Sequence, residues 1–533
     1  MATNGHIAAA RVATLAALTA LTPFLAAPAA DPPDLTRFYG QSISWENCGD
    51  EMEQEARRTW AASTDTLPAG IALFECGNVE VPRDYADPSG KAGTARIGML
   101  RLRATDTERR IGSLVLNFGG PGLSGRFALN SHVPQLSRLN KRFDLVAHDP
   151  RGVADSDPVL CQDPPDGSTA DSGHDQTPDN AGEAERIAEA QRTTNARCDQ
   201  KETAKVLPWV GTTNSARDLD VMRAALGDDK LDYLGFSYGT KLGANYLHQF
   251  PDRAGHFVLD GVDDPTLDTH GVALANTKAF QQALDDFLAD CVGRGARECP
   301  LGTTPRAATA KVNAMFTALD QKPLKTGTGE LDQATFTQVV QKALYSKAKG
   351  WPDLRAALAD LAARNDATSM AELGGRPVGG LAAPRAPAAV DERDQEEQDS
   401  LRAISCRDTG ERPTPQDFLD AVDEFTQASP VFGRRTAASM LQCTGWPVPG
   451  DDTSRQVKAD NAPAALLVGT RGDPATPYEG TAHMADALDN GSGILTYEGE
   501  GHGAYVTDSD CVHEHVDRFL AEGKLPPQDT TCR

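Results

Sequence analysis

Between Ile97 and Asp260 the chain alternates short, mostly apolar runs with longer stretches of helical period. "IGMLRLRA", "GSLVLNF" and "FDLVAHD" have strand length and strand composition. In "TTNSARDLDVMRAALG" the period changes. Leu219, Met222 and Leu226 share one helix face, Thr213 and Asn214 are candidate caps, and Gly227 is a terminator. The strand "LDYLGF", the helical "YGTKLGANYLHQF" and the strand "GHFVLD" follow. Strands separated by helices at this spacing predict a mostly parallel sheet with crossover helices.

The alternation stops after Pro265. "TKAFQQALDDFLADCV", "ATAKVNAMFTALDQ", "ATFTQVVQKALYS" and "WPDLRAALADLAARN" all have helical period. "GGRPVGGLAAPRAPAAV" has the composition of a linker, and "DERDQEEQD" after it reads as a solvated helix face. Sheet-like runs return at "APAALLVGT" and "SGILTYEGE", and an amphipathic helix over Val512–Leu520 closes the pattern. The expectation is an α/β chain whose sheet is interrupted by a helical cap. Sheet residues span 30–265 and 441–533, and the cap spans 266–440 with a linker near 374–390.

A length of 533 residues fits this division, since it is too long for one simple core. The first 29 residues read as an export leader: Arg11, an apolar stretch of 14 residues from Val12 to Leu25, then Ala27-Pro28-Ala29 as a cleavage site. The stretch is short for a membrane span, which needs ~20 residues. Ten cysteines, an even number, all lie beyond this leader and predict disulfides. Pairing between sequence neighbours is expected, because it closes five short or moderate loops. "CVHEH" carries Cys511, His513 and His515, but i and i+2 face different sides of a helix and Cys511 is expected to be oxidised, so no metal is expected. The net charge is −24, which argues against nucleic acid or an anionic membrane as partner. No cofactor is expected, and a monomer is.

The most specific motif is "LGFSYGT". Gly235-x-Ser237-x-Gly239 lies between a strand and a helix, the context of a nucleophile elbow. A tight turn there needs small flanking residues, lifts the hydroxyl above the sheet and sets a helix N-terminus behind it. A serine at its free pKa is a weak nucleophile and needs a base. "LLVGTRGDPATP" sets Asp473 just after one strand and "TYEGEGHGAY" sets His502 just after the next, in the chain order that this architecture uses. Ser237 is therefore the expected nucleophile, His502 the base and Asp473 the residue that orients it. His483, Asp486 and Asp489 fall in a helical stretch, and His513 and His515 on the last helix.

"NFGGPGLSG" contains Gly120-x-Gly122-x-x-Gly125, the spacing of a dinucleotide loop. Pro121 interrupts it, and no acid stands clearly at the end of the next strand. No Gly-Lys-Ser/Thr follows, which excludes a P-loop. An acyl-transfer site needs two backbone N–H donors facing the oxyanion. Tyr238, after the nucleophile, is one, and Gly120 is the expected other.

These motifs, with "FDLVAHDPRGVADSDPV", "AISCRD" and the stretch from "LGFSYGT" to "DGVDDP", resemble the secreted tripeptidyl aminopeptidases of actinobacteria, relatives of the proline iminopeptidases. The matching pieces span most of the chain outside 266–400. The resemblance implies an α/β-hydrolase fold and a serine exopeptidase that releases short peptides, often tripeptides, from free N-termini. It carries Ser237, Asp473 and His502 over as triad, with Gly120 and Tyr238 as oxyanion donors. Asp149 and Arg151 are expected to be structural, and Ala154 stands where relatives often have glycine. A free α-amino group is cationic and must meet a carboxylate. Asp399 and Asp408 are the named candidates, with Glu396, Glu397, Asp263 and Asp264 also possible. An esterase using the same triad is the alternative reading, and a non-catalytic binding protein a third.

Overall fold

The computed structural model describes Met1, Met52 and residues 33–48, 74–161, 176–199, 205–326, 330–374, 390–507 and 509–533. The expected leader and most of the expected linker lie outside them. Twelve strands are described: β1 Glu46–Asn47, β2 Phe74–Pro82, β3 Thr94–Leu102, β4 Gly112–Asn117, β5 Phe143–His148, β6 Leu231–Phe236, β7 Ala254–Asp260, β8 Leu324–Lys325, β9 Glu330–Leu331, β10 Leu466–Gly472, β11 Gly493–Glu500 and β12 Thr531–Cys532. Ten of them form one sheet in the order β1-β2-β3-β5-β4-β6-β7-β10-β11-β12. The pairs from β1 to β5 are antiparallel and the rest parallel. The long antiparallel β2 was not part of the expected set.

Fourteen helices are used below: α1 Gly125–Asn140, α2 Ala181–Cys198, α3 Thr212–Leu226, α4 Tyr238–Gln249, α5 Thr269–Gly293, α6 Pro305–Gln321, α7 Gln333–Leu344, α8 Gly350–Arg364, α9 Thr368–Gly374, α10 Val390–Arg407, α11 Pro415–Ala428, α12 Gly433–Ser439, α13 Glu479–Leu488 and α14 Asp510–Glu522. The central strands are covered on both faces, as their apolar runs require. Val115, Val146, Tyr233, Leu259 and Leu467 point to one face, against Leu219 and Met222 of α3 and Leu242 of α4. Their neighbours Leu116, Leu145, Leu234, Val258 and Val468 point to the other, against Leu136 of α1 and Phe519 of α14. Alternation of side chains along a strand thus builds two cores from one sheet.

The α3 face is as expected, but its cap is not. Gly211 is the N-cap, at φ 109, and no side chain at Thr213 or Asn214 caps the helix. The Thr212 N–H instead donates to the Asp408 carboxylate, 196 residues away, at 2.8 Å. Tertiary contact supplies what the local sequence does not.

The helical layer has its own cores. Phe287 of α5, Phe316 of α6, Phe336 of α7 and Trp351 of α8 share one cluster. Ala188 of α2 packs with Phe418 and Phe425 of α11 in another, so α2 joins the layer although it precedes β6 in the chain. The expected solvated face at 391–399 is not wholly solvated. Asp399 is buried and accepts the Cys161 N–H at 2.7 Å, because α10 lies on the sheet side of the layer, with Ala403 and Ile404 in the first sheet core. Ala154 has a left-handed φ of 42, a conformation that glycine adopts at less cost.

The ten cysteines pair as sequence neighbours: Cys48–Cys76, Cys161–Cys198, Cys291–Cys299, Cys406–Cys443 and Cys511–Cys532. Five disulfides belong to an oxidising compartment. Cys511 and Cys532 lie close to His515, but both sulfurs are bonded to each other. Among the described residues no helix is long and apolar enough to cross a membrane.

Candidate active site

Ser237 sits between β6 and α4 at φ 56 and ψ −127, a conformation that few non-glycine residues adopt. Its N–H donates to the Asp260 carbonyl at 3.0 Å and its carbonyl accepts from Thr240 Oγ1 at 2.6 Å. A Cβ at Gly239 would lie 2.7 Å from the Asn117 carbonyl oxygen, so the turn closes only with glycine there. The strain is held from both sides, and α4 directs its N-terminus at the serine.

Asp473 follows β10 and His502 follows β11, both buried. His502 Nδ1 lies 2.8 and 2.9 Å from the two Asp473 carboxylate oxygens. That bond leaves Nε2 as the free basic nitrogen. Asp473 is anchored in turn by the Ala475 and Thr476 N–H groups, each at 2.9 Å, and by Thr476 Oγ1 at 2.9 Å. The His502 N–H donates to the Tyr345 carbonyl at 3.0 Å, and the Tyr345 ring meets the imidazole edge-on. Burial pulls the His502 pKa down. The Asp473 carboxylate, with Asp260 and Asp263 behind it, outweighs that and holds it above the ordinary imidazole value.

No hydrogen bond joins Ser237 Oγ to His502. The two are brought near each other through Asp260-Gly261: the Asp260 carbonyl takes the Ser237 N–H, and a Cβ on Gly261 would lie 3.1 Å from His502 Cε1.

Gly120, at φ 108 and joined to Pro121 by a cis peptide, lines one cavity of about 350 Å³ together with Ser237 and Tyr238. The Gly119 N–H is committed to Asn117 Oδ1 at 3.0 Å, which leaves the Gly120 N–H as the next donor along the loop. The other glycines of the dinucleotide-like spacing serve close packing. A Cβ at Gly122 would meet the Leu401 backbone of α10 at 2.6 Å, and one at Gly125 the His148 carbonyl at 2.3 Å.

Of the acids named for amine recognition, Asp408, Asp263 and Asp264 line this cavity. Asp399, Glu396 and Glu397 do not: α10 turns them away, and Asp399 is occupied by Cys161 and Gln395. Asp408 also accepts Thr212 Oγ1 at 2.5 Å and stands 3.9 Å from Lys241 Nζ. Burial raises Asp408 and Asp263 above the usual carboxylate range, and Lys241 offsets part of that in both. Asp264 is bound by His483 at 2.5 Å. Asp486 and Asp489 are exposed on and after α13. His513 and His515 bond to Tyr505 and Arg518. Asp149 is buried under Ser124 and Arg126, and Arg151 is paired with buried Asp218.

Three residues at the site escaped the sequence reading. Thr476 had a signal, since an aspartate two or three residues before free N–H groups forms a local turn. Lys241 lies one turn of α4 beyond Ser237, with nothing in the sequence to aim it at Asp408. Asp260 had none either. Its carboxylate accepts the Ala504 and Tyr505 N–H groups at 2.9 and 2.7 Å, just past His502, while its carbonyl holds Ser237. Burial pushes it up to about 6, against the pull of those two donors.

Comparison with known proteins gives a consistent set. The family model described as TAP-like protein matches residues 429–532. Serine protease Hip1 of Mycobacterium tuberculosis is 33% identical over 517 residues, 92% of this chain and 91% of its own. Carboxylesterase B of the same species is 32% identical, over 92% of this chain and 89% of its own. Tripeptidyl aminopeptidase of Streptomyces coelicolor is 30% identical, over 92% and 86%.

Proposed function

The chain belongs to the tripeptidyl-aminopeptidase-like family of α/β-hydrolase serine peptidases, and from that premise we propose that it is a secreted exopeptidase that releases short peptides, tripeptides foremost, from free N-termini. The observation that carries this reading is one cavity lined by Ser237, Gly120 and Tyr238 together with the carboxylates of Asp408, which is buried, and Asp263. A cationic amine entering it meets negative charge in the same cavity as the nucleophile. The five disulfides support export.

In this mechanism Ser237 Oγ attacks the peptide carbonyl as its proton passes to His502 Nε2. The carbonyl oxygen becomes an oxyanion facing the Gly120 and Tyr238 N–H groups. Collapse breaks the C–N bond, and His502 returns the proton to the leaving nitrogen. Water, activated by His502, then hydrolyses the acyl-serine. Asp473 keeps the imidazole in the Nδ1–H tautomer and stabilises its cation.

Mass spectrometry of products from peptides with free and acetylated N-termini tests this reading. Short N-terminal fragments from the free peptides alone support it. Equal cleavage of blocked peptides sinks it. The relative named Carboxylesterase B favours a second reading, an esterase, which predicts turnover of simple esters with no dependence on an amine.

A further inference from the structure

A second cavity, of about 630 Å³, adjoins the one that holds Ser237. Asp263, Asp264, Val272, Asn276, Ala475 and Thr476 line both, so the start of α5 with the residues before it and the segment that anchors Asp473 form their common wall. The second cavity runs between α5 and the segment 471–480. Val262, Leu274, Ala279 and Pro477 give it apolar walls. Its rim carries Lys278, Glu479 and the half-exposed His483, and Arg471 stacks on Tyr478 at 3.8 Å.

We propose that this second cavity receives the residues that follow the scissile bond, and that its apolar walls select an apolar side chain directly after the cut. The inference rests on the reading of Ser237 as nucleophile, and the direction of the substrate follows from it. The carbonyl oxygen must face Gly120 and Tyr238, in the first cavity. The leaving nitrogen must face His502 Nε2, and the Cε1 edge of that ring lies against Gly261, which leads into Asp263 and Thr476 of the common wall. The acyl part therefore extends toward Asp408, and the leaving part toward α5 and Pro477. The two ends also differ as the two halves of a substrate differ. The first cavity alone is lined by Asp408, Met440 and Ser405, which suits a short segment with a terminal amine. The second ends among exposed charged groups, where a long chain continues into water.

The test uses peptides identical up to the bond cleaved and carrying Gly, Leu or Phe directly after it. The wild-type enzyme is expected to favour Leu and Phe over Gly by about tenfold in kcat/KM. Ala279→Phe, which fills the second cavity from α5, is expected to remove that preference, and Ala279→Leu to reduce it. The rate of fluorophosphonate labelling at Ser237 reads the integrity of the nucleophile in each variant. No preference after the cut in the wild type overturns the inference. So does a variant that shifts selectivity before the cut and leaves the Leu-to-Gly ratio intact. An enzyme that cleaves esters but no peptide overturns the parent reading, an outcome that the labelling and ester rates identify separately.

Discussion

At the carboxyl end of β6 the chain is held by backbone. Ser237 has φ 56, its N–H is on the Asp260 carbonyl, and its neighbour Gly239 admits no side chain. Elsewhere in the lining of the same cavity the holding is by side chains: Asp408 after α10, Lys241 on α4 and Met440 after α12. The first arrangement tolerates almost no change of residue and fixes where a carbonyl must react. The second changes with any substitution and, on the proposed reading, sets what reaches the serine. The proposed function assigns chemistry to the strand ends and selectivity to the side chains that line the rest of the cavity.

The hardest test of that division is Ser237→Ala. Fluorophosphonate labelling should vanish and kcat/KM fall by about 10⁴-fold or more with the thermal unfolding profile kept. Residual activity near wild type would mean that the strand-end site is not where the reaction occurs.

Asp408→Asn acts on the other region. The ratio of kcat/KM for free over acetylated peptides should fall about 10- to 100-fold, the worth of one hydrogen bond to a charged group, with a smaller change in labelling of Ser237. An unchanged ratio would move amine recognition to Asp263.

Asp260→Asn sharpens the comparison, because Asp260 joins the two loops of the strand-end site. We expect kcat to drop about tenfold with KM little changed, since one amide donor near His502 loses its acceptor. The pH profile carries a sign. His502 must be neutral to act, and its pKa is raised, so the acid limb of kcat/KM should lie above 6.5. Asp260 must be ionised to hold the loop and protonates near 6, so the wild-type limb should steepen below that pH. The Asn variant should lose the steepening. A limb of the same slope in both would remove Asp260 from the argument.

The smallest effect on rate belongs to the pair Cys291→Ser and Cys299→Ser, at the end of α5 and away from both cavities. The loop spans 8 residues, so its loss should cost about 2–3 kcal/mol of stability, read by denaturant unfolding, and leave kcat/KM as it was.

Much of the strand-end region was legible in the sequence because its determinants are local. The glycines around Ser237 meet backbone that the same turn and the adjacent strand bring within reach, and Asp473 and His502 each follow a recognisable strand. Neighbour pairing of the cysteines was expected on loop length alone, and the structure has it. The wall opposite was not. Asp399 and Asp408 looked alike as acids near a helix, yet one is turned toward Cys161 and the other toward the cavity. The cap of α3 was misread because its acceptor lies in a remote segment.

What the amino-acid sequence determined by itself was the alternation that makes the sheet, the strained turn at Ser237 and the order of the acid and the histidine after it. Each depends on steric and hydrophobic preferences within a few residues. What only the tertiary structure decided was which carboxylates line the cavity with the serine, that Asp260 links the two loops, and that a second cavity adjoins the Asp473 segment. Those depend on how α5 and α10 pack over the sheet. Helix packing is fixed by the summed fit of many side chains distant in sequence, a sum that no local pattern records.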